Sequence, residues 1–246
     1  MRHGSVSINS DMGESLGIHS FGNDSALLEI VDTVNIACGM HAGDPSAMWR
    51  TVTQALDAGV TIGAHPGLPD LVGFGRRVMS VTVDELRDLV RYQVGALNGF
   101  LQAAGAELDH IKPHGAMFGM VAADSRLMNA LCDVAAQFEV PIYGLAGTEH
   151  EFVTRSRGVP FVREFYVDLE YDDSGMILMN RYGTSPDKTV VRMRTKDALN
   201  GTTVSTTGNI IPVSAQSFCI HSDLPGAPEV ARQVAEVIAE LSAGDT

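Results

Sequence analysis

The chain has little that would tie it to a membrane, a disulfide framework or a nucleic acid. No hydrophobic run in its 246 residues approaches the roughly 20 needed to span a bilayer, and no apolar segment follows Arg2 and His3 to make a secretory signal. Only three cysteines occur, Cys38, Cys132 and Cys219, with no C-x-x-C spacing. That odd number argues against a disulfide scaffold or a zinc knuckle and fits a reducing cytoplasm. Basic residues are scarce, 17 against 30 acidic ones, for a net charge of -13. The one local cluster is Arg76-Arg77, so nucleic acid is not expected as a partner, and the acidic excess reads chiefly as a solvated surface. Chemical signatures are missing too. Without G-x-x-x-x-G-K-[ST], or G-x-G-x-x-G opening a helix after a strand, the chain has no nucleotide cradle of its own. G-x-S-x-G is absent, against a serine hydrolase of the α/β-hydrolase kind, as is H-E-x-x-H, the local zinc motif. For any hydrolytic chemistry, water activated by histidine, carboxylate or metal is the route left.

What is present is the composition of an ordinary globular protein, 45% hydrophobic and 19% charged. Seven short β-type runs fall at 5–9, 33–37, 60–64, 108–112, 140–146, 160–166 and 216–221, and most are followed by helical patterns. One helix opens at the capping box Thr82-x-x-Glu85, repeats Leu86, Leu89, Val90, Val94, Leu97 and Leu101 at helical spacing, and stops at Gly105. Another spans about 226–242, with Val230, Val234, Ile238 and Leu241 as its apolar stripe. Strands alternating with helices predict a parallel sheet, closed as a barrel or open and doubly wound. The stretch from about 170 to 215 is less regular, with one helix opening at Ser185-Pro186, and is expected to be an excursion between the last two strands.

Polar groups collect where strands end: Asn9, Asp11 and Glu14; Cys38, His41 and Asp44; His65 and Asp70; Lys112 and His114; Glu164 and Asp168; His221 and Asp223. In parallel α/β folds the carboxyl ends of strands share one face, so these groups are expected to meet in one pocket. Each also has a duller reading. Asp11 or Asp44 could cap a helix, His65 before Pro66 could fix a turn, and Lys112 could be a surface charge. Four of the eight histidines, His41, His65, His114 and His221, stand at strand ends, where imidazole can ligate a metal or move protons. His3, His19, His110 and His150 fall in the tail, loops or a strand interior. The loop Gly73-Phe74-Gly75-Arg76-Arg77 offers guanidinium groups for an anionic substrate, with a surface ion pair to Asp70 or Asp84 as the alternative.

Taken in order, Asn9-Ser10-Asp11-Met12-Gly13-Glu14, the run Asn35 to Pro45, Gly63-Ala64-His65-Pro66-Gly67, Gly73 to Arg77, Tyr92 to Leu97 and Lys112-Pro113-His114-Gly115-Ala116 resemble the LamB/YcsF family, to which the A component of bacterial 5-oxoprolinase belongs. The resemblance covers about residues 7 to 240. It implies one domain over 1–246, a distorted seven-stranded parallel (β/α) barrel related to sugar deacetylases, and hydrolysis of the lactam 5-oxoproline to glutamate with ATP. It also implies the B and C subunits of 5-oxoprolinase as partners, in keeping with the missing phosphate loop; a homo-oligomer is left open. By analogy with barrel hydrolases, Asp11, His65 and His114 would be the ligands of a divalent metal, and with Lys112 they form the expected catalytic set. Asn9, Glu14, His41, Asp44, Arg76, Arg77, Glu164, Asp168, His221 and Asp223 are the expected substrate contacts. Two departures stand out: Leu169 where the family usually has arginine, and Ser222 where it usually has glycine. Either could change which anion fits. The rival readings are a metal-dependent deacetylase of small carbohydrates and a non-catalytic substrate-binding component.

Overall fold

The computed structural model describes residues 6–178 and 186–244; Arg2, His3, Ser5 and Ser185, used in the sequence reading, lie outside them. The elements run β1 (Ser7–Met12), α1 (Asp24–Leu27), β2 (Thr33–Ala37), α2 (Pro45–Ala58), β3 (Thr61–His65), α3 (Val83–Ala103), α4 (Gly115–Ala123), α5 (Ser125–Phe138), β4 (Ile142–Leu145), α6 (Glu149–Arg157) and β5 (Phe161–Tyr166). There follow β6 (Glu170–Tyr171), β7 (Ile177–Leu178), α7 (Lys188–Leu199), β8 (Thr202–Val204), β9 (Ile210–Pro212), β10 (Ser217–His221) and α8 (Ala227–Gly244). One curled parallel sheet carries the order β3-β2-β1-β10-β5-β4. The expected excursion is the two small antiparallel hairpins, β6–β7 and β8–β9, with α7 between them.

The sheet has six strands, not seven. The run expected at 108–112 makes only isolated bridges, with Ile111 paired to Ala64 on one side and to Ile142 on the other. Pro113 has no N–H to continue a ladder beyond Lys112, which keeps this segment short. Backbone bonds still cross the gap: Lys112 N–H donates to the Ala64 carbonyl at 2.9 Å and Tyr143 N–H to the Ile111 carbonyl at 3.0 Å.

Parallel strands buried on both faces usually read as continuous apolar runs, but here the faces alternate. Ile8 and Met12, Val34 and Ile36, Ile62 and Ala64, and Phe218 and Ile220 are buried on the helix-covered side. Asn9 and Asp11, Asn35, Glu164 and Cys219 contact one another on the other. The interior is therefore a hydrogen-bonded polar stack. Against the outer face, α3 buries Leu86, Val90, Val94, Leu97 and Leu101 completely, each side chain contributing roughly 1.5–3 kcal/mol. Its capping box is present as Thr82 and Glu85, and Gly105 follows the helix end at φ 72°. In α8, Val230, Val234 and Ile238 face the core, while Leu241 is exposed. Among the described residues no helix is long and apolar enough to cross a membrane.

Candidate active site

Asn9 and Asp11 lie within β1 rather than after it, because the strand runs to Met12; their alternate spacing aims both inward. Register places Asp11 beside Asn35 of β2 and His221 of β10. Asp11 is the centre of the site. Its Oδ1 accepts from Lys112 Nζ at 2.8 Å and Asn35 Nδ2 at 2.7 Å, and its Oδ2 lies 3.3 Å from His65 Nε2 and 3.7 Å from His221 Nε2. Burial alone would raise its pKa, but His65 and Lys112 outweigh that and hold it well below the usual carboxylate value.

Lys112 is 2% exposed, so the surface-charge reading does not hold. Its Nζ is 3.3 Å from Glu164 and 2.9 Å from Cys219 Sγ. Burial opposes its charge, but the Asp11 and Glu164 carboxylates raise its pKa well above the ordinary lysine value. Glu164 also accepts from Asn9 Nδ2 and from the Tyr166 hydroxyl, both at 2.9 Å. Asp168 lies 3.1 Å from His221 Nδ1. Burial favours the neutral His221 ring, yet Asp168 and then Asp11 prevail and raise its pKa.

A second cluster adjoins the first. Glu14, His41, His65 and His114 are all buried, with donor atoms within 4.8 Å of one another. His65 Nδ1 donates to the Lys112 carbonyl at 2.7 Å and His114 Nε2 to the Phe74 carbonyl at 2.7 Å. With both rings neutral, those bonds leave the lone pairs of His65 Nε2 and His114 Nδ1 facing each other at 3.0 Å, a repulsion that a shared cation relieves. Tetrahedral ligation with bonds of about 2.0–2.1 Å separates donors by about 3.3 Å; the His41–Glu14 distance is 3.4 Å and the His114–Glu14 distance 3.9 Å. Among the described residues His41 has no hydrogen-bond partner on either buried nitrogen. It stacks parallel to His114, 3.7 Å between centroids, so both rings cannot aim a lone pair at one ion without one turning. This cluster can hold a divalent metal. Its acid is Glu14; Asp11, the expected ligand, gives Oδ1 to Lys112 and keeps Oδ2 3.3 Å from His65 Nε2, and it also groups with Cys219 and His221 at ligating distance. Without a cation, burial and then Asp223 and Asp11 hold the Glu14 pKa well above the carboxylate value, while burial keeps His41 and His114 neutral.

A cleft opens over these groups, lined by Asp11, His65, Arg76, Lys112, His114, Tyr166, Leu169, Ile177 and His221. Arg76 pairs with Asp223 at 2.9 Å and is 13% exposed. Of the ten expected substrate contacts, Arg76 and His221 line this cleft, Asn9, Glu14, His41, Glu164 and Asp168 are buried behind it, Asp223 pairs with Arg76, and the other two lie apart. Asp44 caps α2, accepting from Ser46 and Ala47 N–H at 2.8 and 2.9 Å, and Arg77 is half exposed and bound to Asp70. Asn35, His110, Tyr166 and Cys219 belong to the network and were not among the expected site residues. Inward parity with Asp11 and Lys112, read from the strand period of two, was the signal available for Asn35 and His110.

A polar-lined parallel barrel with a lysine–aspartate pair, a carboxylate-bound histidine and a histidine–glutamate cluster at one end defines a site able to move protons and to hold a cation. The LamB/YcsF family model matches residues 6–244, and the chain belongs to that family. It is 40% identical over 240 residues to a lactam utilization protein lamB of Emericella nidulans, covering 96% of this chain and 94% of that one. It is 40% identical over 245 residues to the A component of 5-oxoprolinase from Bacillus licheniformis, covering 98% and 96%. A crystal structure of a lactam utilization protein from Thermus thermophilus superposes with a TM-score of 0.88 at 36% identity over 97% of each chain. Those likenesses place the chain with hydrolase-type proteins of lactam or 5-oxoproline utilisation.

Proposed function

We propose that this chain is a cytoplasmic hydrolase like the A component of 5-oxoprolinase, one barrel domain over residues 1–246 that opens 5-oxoproline or a related lactam to glutamate. The reading includes ATP supplied through B- and C-type partner subunits, since the chain carries no phosphate loop and the Bacillus licheniformis relative is named as one component of a larger enzyme. The observation that carries it is the buried Lys112–Asp11 pair with His221 beside it, a proton-handling group set against a fixed charge.

Asp168 orients His221 through Nδ1, leaving Nε2 toward the cleft. A histidine oriented by a carboxylate suits both halves of an amide hydrolysis, taking a proton from the attacking water and returning it to the leaving nitrogen. Asp11, kept ionised by Lys112, stabilises the imidazolium formed between those steps. This gives His221 a catalytic role beyond the substrate contact expected of it, and makes Lys112, within the catalytic set, the support of Asp11. Arg76 lies where it can receive a substrate carboxylate, and Leu169 and Ile177 face the apolar ring edge. Glu14, His65 and His114, with His41 beside them, would hold a divalent metal, which when bound polarises the amide carbonyl as a Lewis acid.

The test incubates the purified chain, alone and with candidate B and C subunits, with 5-oxoproline and ATP, and measures glutamate. Glutamate from the full mixture, lost in His221→Ala, supports the reading. Release of acetate from small acetylated sugars by the chain alone, abolished by a chelator, would replace it with the deacetylase reading.

A further inference from the structure

Beneath Asp11 a line of buried hydrogen bonds runs to the far end of the barrel. Asn35 Nδ2 donates to Asp11 Oδ1 at 2.7 Å and to Asn9 Oδ1 at 2.8 Å, so the amide oxygen of Asn35 must point the other way. It meets His110 Nε2 at 2.5 Å, which therefore carries a hydrogen. The other ring nitrogen, Nδ1, is 2.8 Å from the Asp109 carboxylate, again an acceptor. His110 is 0% exposed and stacks on Tyr143 at 3.9 Å. Room for the ring exists because residue 63 of β3 is glycine: a Cβ there would run into the His110 ring at Nε2. Asp109 is 38% exposed, at the solvent end of the line.

We propose that His110 is a positioning residue that donates from both ring nitrogens, to Asp109 and to Asn35, and thereby locks Asn35 in the orientation that presents Asp11 to His65 and His221. The chain of causes is short. Turned over, the Asn35 amide would set an oxygen against the Asp11 carboxylate and the Asn9 carbonyl, which is repulsive at both contacts. The His110 N–H adds a third penalty, because a turned-over Asn35 would face it with an NH2 group, and Asp109 holds the ring by its second nitrogen. With the line cut, Asp11 keeps its Lys112 bond but loses the fixed Asn35 donor beside it.

The inference rests on the proposed role of Asp11 for its catalytic consequence, so the first test needs no turnover. Nitrogen-15 spectra of the histidine rings in the chain alone are expected to show His110 protonated on both nitrogens at pH 7.5. Asp109→Asn, altered at the solvent end, is expected to lose that signature while the chain stays folded by circular dichroism. His110→Phe is expected to shift the His65 and His221 ring signals, and His110→Gln, which keeps a donor toward Asn35, to restore them. A His110 ring protonated on one nitrogen only, or unchanged His65 and His221 signals in a folded His110→Phe protein, overturns the proposal. If the reconstituted complex forms glutamate, His110→Phe is expected to lower kcat by roughly 100-fold with KM little changed. If the wild type forms none, lactam opening fails while the spectra still decide the role of His110.

Discussion

At the scale of single residues the site is governed by one buried cation. Lys112 faces Asp11 and Glu164 with no more than 4% of any of the three side chains exposed. Removing one member of a buried charge set leaves the others desolvated and unpaired, a larger effect than the net worth of the pair. Lys112→Met is therefore expected to destabilise the fold by about 3–5 kcal/mol and to abolish lactam opening, because Asp11 would take up a proton to relieve its isolation. Urea unfolding of the two proteins checks the first expectation. A variant as stable as the wild type would mean that Lys112 is not what holds Asp11 in its charged form. Lys112→Arg is expected not to rescue, since a planar guanidinium cannot enter the space of an ammonium among Asp11, Glu164 and Cys219.

At the scale of elements, two helices make separable expectations. In α3, Thr82 accepts from Glu85 N–H at 3.2 Å while its own N–H donates to the Glu85 carboxylate at 2.7 Å. Thr82→Ala is expected to cost about 1 kcal/mol and leave activity untouched, read as a shift in the urea midpoint. In α6, His150 is wholly buried. Its Nδ1 accepts from Leu145 N–H at 3.0 Å and its Nε2 donates to the Phe118 carbonyl at 3.1 Å, so the neutral ring is the one that fits. Burial pushes its pKa down to about 3. Between that value and the ordinary imidazole value near 6.5 the unfolded chain binds a proton that the folded one refuses. Stability should thus rise with pH across this window, and fall as acid is added. Unfolding free energies from about pH 4 to about pH 7 test it: His150→Gln, less stable throughout, is expected to show a slope shallower by up to one proton. An unchanged slope would place the titration elsewhere.

At the scale of the whole molecule, what could be read from the chain was the set of long periodic or ordered features. The helix from Thr82 to Gly105 was legible because its cap and stripe are local. The convergence of Asp11, Lys112 and His221 was legible because parallel strands share a carboxyl end. The missing seventh strand was not, since whether 108–112 pairs beyond Ile111 depends on neighbours about 50 residues away on one side and about 30 on the other. Nor was the approach of Glu14 to the histidine cluster, which follows from where β1 ends. Charge is the remaining global property. The 17 basic residues are outnumbered by 30 acidic ones, and many of the arginines are already paired, Arg192 with Glu236 and Glu240 and Arg87 with Asp84 and Asp133. Salt weakens both those surface pairs and the mutual repulsion of the surplus carboxylates, but an exposed pair contributes little whereas the repulsion sums over the whole surface. Thermal stability is therefore expected to increase as sodium chloride is raised from about 0.01 to about 0.15 M, where the screening length falls from about 30 to about 8 Å. The measurement is a melting series at pH 7.5 with a chelator present, so that cation binding at the histidine cluster does not contribute. A Tm that falls over this range would mean that the arginine pairs outweigh the repulsion.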